Sequence, residues 1–179
     1  YMDYKEKYKV CGALKSPYDE RDYKLSKLIM KAVPLPEEYV NPTPLIIMNQ
    51  GQTSSCVGHS MAQARHITEY NQNGDNKEFS PMYVYGNRKK SDYQGEGMYP
   101  RQCLANVKEF GICHREDFDG LFDYPKAHKI YIKNKTELDI KAYPHRISSY
   151  YRLRDFDDVK TAIYTLGSAF ISYEVYEPL

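Results

Sequence analysis

With 179 residues the chain is long enough for one buried core or a two-lobed domain. Its 25 Lys and Arg against 24 Asp and Glu leave a net charge of +1, which offers neither a basic face for nucleic acid nor an acidic tail. Hydrophobic content of 41% beside 27% charged residues is that of a soluble globular protein, and no apolar run approaches the roughly 18–20 residues that span a bilayer.

Residues 1–16 are mixed, charged and Tyr-rich, and read as a loosely ordered extension. Ser16 to Tyr23 has the turn chemistry of a surface loop. Pro34, Pro36, Pro42 and Pro44 forbid a continuous helix or a central strand, so this stretch is an extended leader that delivers Leu45 to Met48 to the next loop. A helix is predicted from residue 55 to about 71, capped by Ser54 or Ser55, with Val57, Met61, Ala64 and Thr68 on one face. Ser80-Pro81 opens a second helix, serine as cap and proline at the first helical position, running to about Lys89. After a loop with Gly95 and Gly97, a third helix runs from about Pro100 to Phe110 and stops at Gly111. Ile112 to His114 reads as extended. Residues 117–143 read as irregular surface connection with a helical piece around Lys135–Lys141. Arg146 to Leu153 is predicted as a strand. Asp155 caps a helix with Asp157 and Asp158 in its first turn, and Gly167 ends it. Ala169 to Tyr176 is predicted as a second, stronger strand.

One segment carries chemistry. Asn49-Gln50-Gly51-Gln52-Thr53-Ser54-Ser55-Cys56 places a cysteine where a polar loop turns into an amphipathic helix, with a glutamine six residues before it. Backbone N–H groups at a helix start have no intrahelical partner, and the positive end of the helix dipole lies there, so both favour a thiolate nucleophile. A loop that folds Gln50 back beside the sulfur would supply one half of an oxyanion hole, with the Cys56 N–H as the other half. The other cysteines are Cys11, Cys103 and Cys113, so at most one disulfide can form beside a nucleophilic Cys56. Cys103 sits in an apolar helical stripe and reads as a buried inert thiol. No CxxC pair exists, and the Cys56/His59 spacing has no second pair to match it; no metal site and no cofactor are expected.

The order Gln, glycine loop, Ser-Cys and long helix resembles the nucleophile segment of papain-like cysteine peptidases. Phe79-Ser80-Pro81 is similar to the start of that family's second helix, and Gly95-Glu96-Gly97-Met98 to its cleft-lining glycine loop. Asp155 to Tyr176 is similar to the opening of its second lobe. The resemblance implies an α+β, two-lobe papain-like fold, a helical lobe followed by a β-rich lobe that is incomplete in this chain. It implies an extension or activation segment over residues 1–44, a helical lobe over 45–125, and the start of the β-rich lobe over 126–179. It makes Cys56 and Gln50 the catalytic pair and assigns substrate binding to Gly95, Glu96, Gly97, Met98 and Ser172. The expected activity is hydrolysis of peptide or protein substrates through an acyl-enzyme.

Two departures place the chain nearer the family's bacterial and phage-type members. Thr53 stands where many secreted members have a disulfide cysteine, and Val57 follows the nucleophile where tryptophan is usual. Cysteine usage does not fix the compartment, which stays unknown between the cytosol and secretion without a visible signal peptide. In the family the histidine lies about 130–150 residues after the cysteine, which falls beyond Leu179. His59, His66, His114, His128 and His145 do not fit the family's order. A second chain or a C-terminal fragment carrying His and Asn is therefore the expected partner; nucleic acid and membrane are not. The competing readings are an inactive papain-like binding module and a cell-wall peptide hydrolase or acyltransferase that uses Cys56.

Overall fold

The computed structural model describes residues 12–25, 34–92, 94–119 and 124–173. Among the described residues five α-helices follow in order: α1 (Cys56–Asn73), α2 (Pro81–Gly86), α3 (Pro100–Phe110), α4 (Tyr124–Ala142) and α5 (Phe156–Leu166). Short 3-10 turns cover Lys90–Asp92 and Tyr143–His145. Among the described residues no helix is long and apolar enough to cross a membrane.

Helix α1 begins at Cys56, after Ser55, and closes where Gly74 turns left-handed and donates its N–H to the Tyr70 carbonyl. Helix α2 begins as its Ser-Pro start predicts: Ser80 Oγ accepts from Tyr83 N at 3.0 Å and donates to the Phe118 carbonyl at 2.5 Å. The two helices come close because residue 58 is glycine. A Cβ there would stand 2.8 Å from the Pro81 carbonyl oxygen and 2.8 Å from the Tyr85 ring. Helix α3 occupies the predicted residues and ends at Gly111.

Helix α4 is the main helical surprise. It is 19 residues long, where the sequence suggested irregular chain with one helical piece. Its buried positions are Ala127 and Tyr131, then Leu138 and Ala142. They are 4, 7 and 4 residues apart and so share one helical face across the kink at Asn134, but exposed Ile132 and Ile140 on the other side blur that stripe in the sequence. Tyr131 and Tyr83 both donate their hydroxyls to Asp139 Oδ1 at 2.9 Å, which anchors α4 on α2. The core is one cluster drawn from α1 to α4 and from Phe79, Met98, Ile112, Cys113 and Phe118.

Among the described residues the expected β-rich lobe does not form. Among the described residues no sheet forms, only three isolated bridges: Ala13 with Met98, Lys24 with Arg152, and Phe79 with His114. This corrects the α+β, two-lobe assignment; the described chain is helical. Arg146 to Leu153 pairs at one point only, through Arg152, and Ala169 to Tyr173 pairs nowhere in the described chain. A strand is stable when neighbouring strands take up its N–H and C=O groups, and alternation alone does not supply them. Ile171 is 64% and Tyr173 82% exposed, so the apolar side of that segment has no cover here. Residues 174–176 of the predicted strand, like Cys11, lie outside the described residues.

Candidate active site

Cys56 is the first residue of α1, a half-buried free thiol packed against the core. The loop before it is wound tightly on itself. Asn49 Oδ1 accepts from Gly51 N at 2.8 Å, and Gly51 takes the left-handed φ of 58° that the turn requires. Gln50 is folded back on the loop: its Nε2 donates to the Thr53 carbonyl at 2.8 Å, and Thr53 Oγ1 donates to the Gln50 carbonyl at 2.7 Å. The Gln50 amide is thus oriented by the segment that leads into Cys56.

Ser55 makes no side-chain cap bond to the helix. Its hydroxyl lies 2.5 Å from Thr53 Oγ1 and 3.2 Å from His59 Nδ1, and its carbonyl lies 2.9 Å from the same ring nitrogen. Burial holds the His59 imidazole below the usual histidine range, so it stays neutral at neutral pH. The other histidines are engaged elsewhere. His66 Nε2 lies 2.9 Å from Asn76 Oδ1, and His128 Nδ1 lies 2.8 Å from the Gly86 carbonyl. The rings of His114 and His145 meet at 4.5 Å, and His145 Nδ1 lies 3.1 Å from Glu69 Oε1. Burial pushes the Cys113 thiol up to about 12 and also raises the Cys103 thiol, so neither is held as a thiolate near neutral pH.

The glycine loop stands next to the Cys56 loop. Ser54 Oγ donates to Glu96 Oε2 at 3.2 Å. Gly95 and Glu96 are exposed, whereas Gly97 and Met98 are buried. Their cover is the chain's own residues 12–14: Met98 N donates to the Gly12 carbonyl at 2.7 Å, and Leu14 N to the Met98 carbonyl at 3.0 Å, as a parallel bridge. Gly12 also lies against the Cys56 loop, where a Cβ would come within 1.8 Å of the Ser54 carbonyl oxygen. Arg101 secures the segment by donating to Asp22 at 2.8 Å and pairing with Asp19 at 2.8 Å. Ser172 lies exposed in the segment after α5. A groove of about 390 Å³ beside α1 is lined by Ile46, Met48, His59, Gln63, Phe170 and Ile171, among others, and neither Cys56 nor Gln50 lines it.

Sequence reasoning missed Tyr85, whose hydroxyl donates to the Ser54 carbonyl at 2.6 Å, and Arg88, which donates to the Glu96 and Gly97 carbonyls at 2.8 and 2.7 Å. The only signal was a charged residue following an otherwise apolar helix. Among the described residues no group of three or more His, Cys, Asp or Glu side chains is arranged to hold a metal ion.

No family model matches the sequence, and no curated protein matches it. Among solved structures, the fold is similar to that of xylellain, a cysteine protease from Xylella fastidiosa, with a TM-score of 0.70 at 20% sequence identity. The match covers 86% of this chain and 62% of xylellain, so the chain spans less than two thirds of that protein's length. The likeness is one of fold: the chain shares its backbone arrangement with a cysteine protease.

Proposed function

We propose that this chain is the nucleophile-bearing part of a papain-like cysteine peptidase. The observation that carries the reading is Cys56 itself, a free thiol at the first residue of a long helix, preceded by a loop that folds Gln50 back, in a fold similar to a cysteine protease. The Cys56 thiolate attacks the carbonyl carbon of a peptide bond and forms a C–S bond. The Gln50 amide and the Cys56 N–H stabilise the resulting oxyanion. Collapse breaks the C–N bond, and a histidine imidazolium gives its proton to the leaving amine. Water, deprotonated by the same histidine, then attacks the thioester and breaks the C–S bond, which releases the acid and restores the thiolate–imidazolium pair.

That histidine is supplied beyond residue 179 or by a second chain, since the described histidines are engaged elsewhere in the fold. A substrate strand pairs with the backbone edge of Met98, bordered by Gly95, Glu96 and Gly97, after displacing residues 12–14 from it. Ser172 contributes to the pocket once the segment after α5 is covered.

The test is intact-mass labelling with an epoxysuccinyl cysteine-peptidase inhibitor, together with a search for a co-purifying fragment. One adduct, lost in Cys56→Ala, supports the reading; no adduct in a sample containing the His-bearing fragment overturns it. With hydrolysis in hand, Gln50→Ala is expected to lower turnover about 100- to 1,000-fold. Unchanged turnover would remove Gln50 from the oxyanion hole.

A further inference from the structure

The Cys56 loop and the glycine loop are separate in sequence, and α2 with the turn after it joins them. Tyr85, at 3% exposure, donates its hydroxyl to the Ser54 carbonyl, two residues before the nucleophile. Arg88, at 2% exposure, places one guanidinium nitrogen on both the Glu96 and the Gly97 carbonyl. The two side chains are themselves stacked, with the guanidinium carbon 4.0 Å from the centre of the Tyr85 ring, and Arg88 Nε donates to the Tyr85 carbonyl at 3.3 Å. A direct contact between the loops, Ser54 Oγ to Glu96, closes the circuit. The result is a closed ring of contacts: Cys56 loop, Tyr85, Arg88, glycine loop, and back.

We infer that Tyr85 and Arg88 are positioning residues that set the Cys56 loop and the glycine loop at a fixed spacing. This inference rests on the peptidase reading for its meaning in catalysis, since it is that reading which makes one loop hold the nucleophile and the other receive the substrate backbone. In this chain Thr53 stands where many secreted members of the resembled family have a disulfide cysteine. The Tyr85–Arg88 pair supplies a non-covalent tie for the same loop. The chemistry demands these residue types. A phenol hydroxyl reaches one buried carbonyl while its ring faces the cation. A planar guanidinium serves two carbonyls and a ring face together, which a lysine ammonium does not. A carbonyl left buried without its donor costs more than the bond alone. Each loop is therefore expected to loosen when either tie is cut.

The experiment compares Tyr85→Phe and Arg88→Lys with the unaltered protein by amide hydrogen exchange and by Cys56 labelling. Both variants are expected to speed exchange about tenfold in peptides covering residues 49–56 and 94–99 together, while α3 keeps its protection. Labelling by the epoxysuccinyl inhibitor, which needs both loops, is expected to slow about tenfold, with alkylation by iodoacetamide within about twofold. Tyr85→Phe is the safeguard, because it keeps the ring, the packing and the fold. Exchange that changes in neither loop, or only in the loop that each side chain touches, overturns the inference. An unaltered protein that takes no epoxysuccinyl label in a sample containing the His-bearing fragment refutes the peptidase reading instead, and the exchange data still judge the tie.

Discussion

The helical body of α1 to α4 and the stretch from Arg146 to Tyr173 are built from equally plausible sequence, yet they end in different states. In the body, Phe79, Tyr83, Met98 and Ile112 are each at most 1% exposed. In the later stretch, Phe156 is 74%, Ile171 64% and Tyr173 82% exposed. Helix α5 forms in that stretch because a helix makes its hydrogen bonds within itself, whereas the flanking segments do not become strands because strands make theirs with neighbours. An apolar pattern thus becomes structure only where something covers it, and the pattern on its own does not say where that cover is.

The comparison breaks most easily at its largest contrast. Tyr83→Ala, which empties the α2–α4 contact and leaves Asp139 short of a donor, is expected to cost about 3–5 kcal/mol, whereas Phe156→Ala is expected to stay within about 0.5 kcal/mol. Urea unfolding of both variants measures this, and equal losses would mean that the late stretch is packed in solution. A narrower contrast uses one role in both regions. Ser80 and Asp155 each cap a helix, accepting from Tyr83 N at 3.0 Å and from Asp158 N at 2.9 Å. Ser80→Ala, which also orphans the buried Phe118 carbonyl, is expected to cost about 2 kcal/mol, and Asp155→Ala about 1 kcal/mol or less.

The smallest effect is a pH dependence confined to the body. Burial, and then the neighbouring His145, holds the His114 imidazole below the usual histidine range. The unfolded chain therefore binds the extra proton first, and stability falls as pH drops below about 6.5 toward the folded value. Burial pushes the Glu69 carboxyl up, but bonds from His145 and Asn73 and the charge of Arg65 bring it below its ordinary value. Its contribution is present above about 4.3 and is lost as pH falls further. Thermal unfolding from pH 8 to 4 should show both limbs, with His114→Phe reducing the upper one, to which the buried His59 also contributes, and leaving the lower. A profile unchanged by His114→Phe would move the acid sensitivity elsewhere.

Much of the body was readable in advance. Local signals with a short physical reach set its elements, Ser80-Pro81 as a cap and first helical position and Gly111 as a stop, and a signal of the same kind, Asp155 as a cap, set α5 outside it. The extended reading of Ile112 to His114 is met by the Phe79–His114 bridge. Helix α4 was largely missed because exposed Ile132 and Ile140 blur its apolar periodicity, so the face of Ala127, Tyr131, Leu138 and Ala142 does not stand out. For the site, the sequence marked Cys56 at a helix start and Gln50 in a turn-rich loop, since both depend on neighbours a few residues away. Three things depended on distant chain. Residues 12–14 lie over Met98, more than eighty residues later. Tyr85 reaches back to Ser54 across the α1–α2 contact that Gly58 permits, and Arg88 gathers the glycine-loop carbonyls. Capping and turn chemistry act within one helical turn and so are written locally, whereas burial, strand pairing and the joining of two loops exist only after the chain has closed on itself.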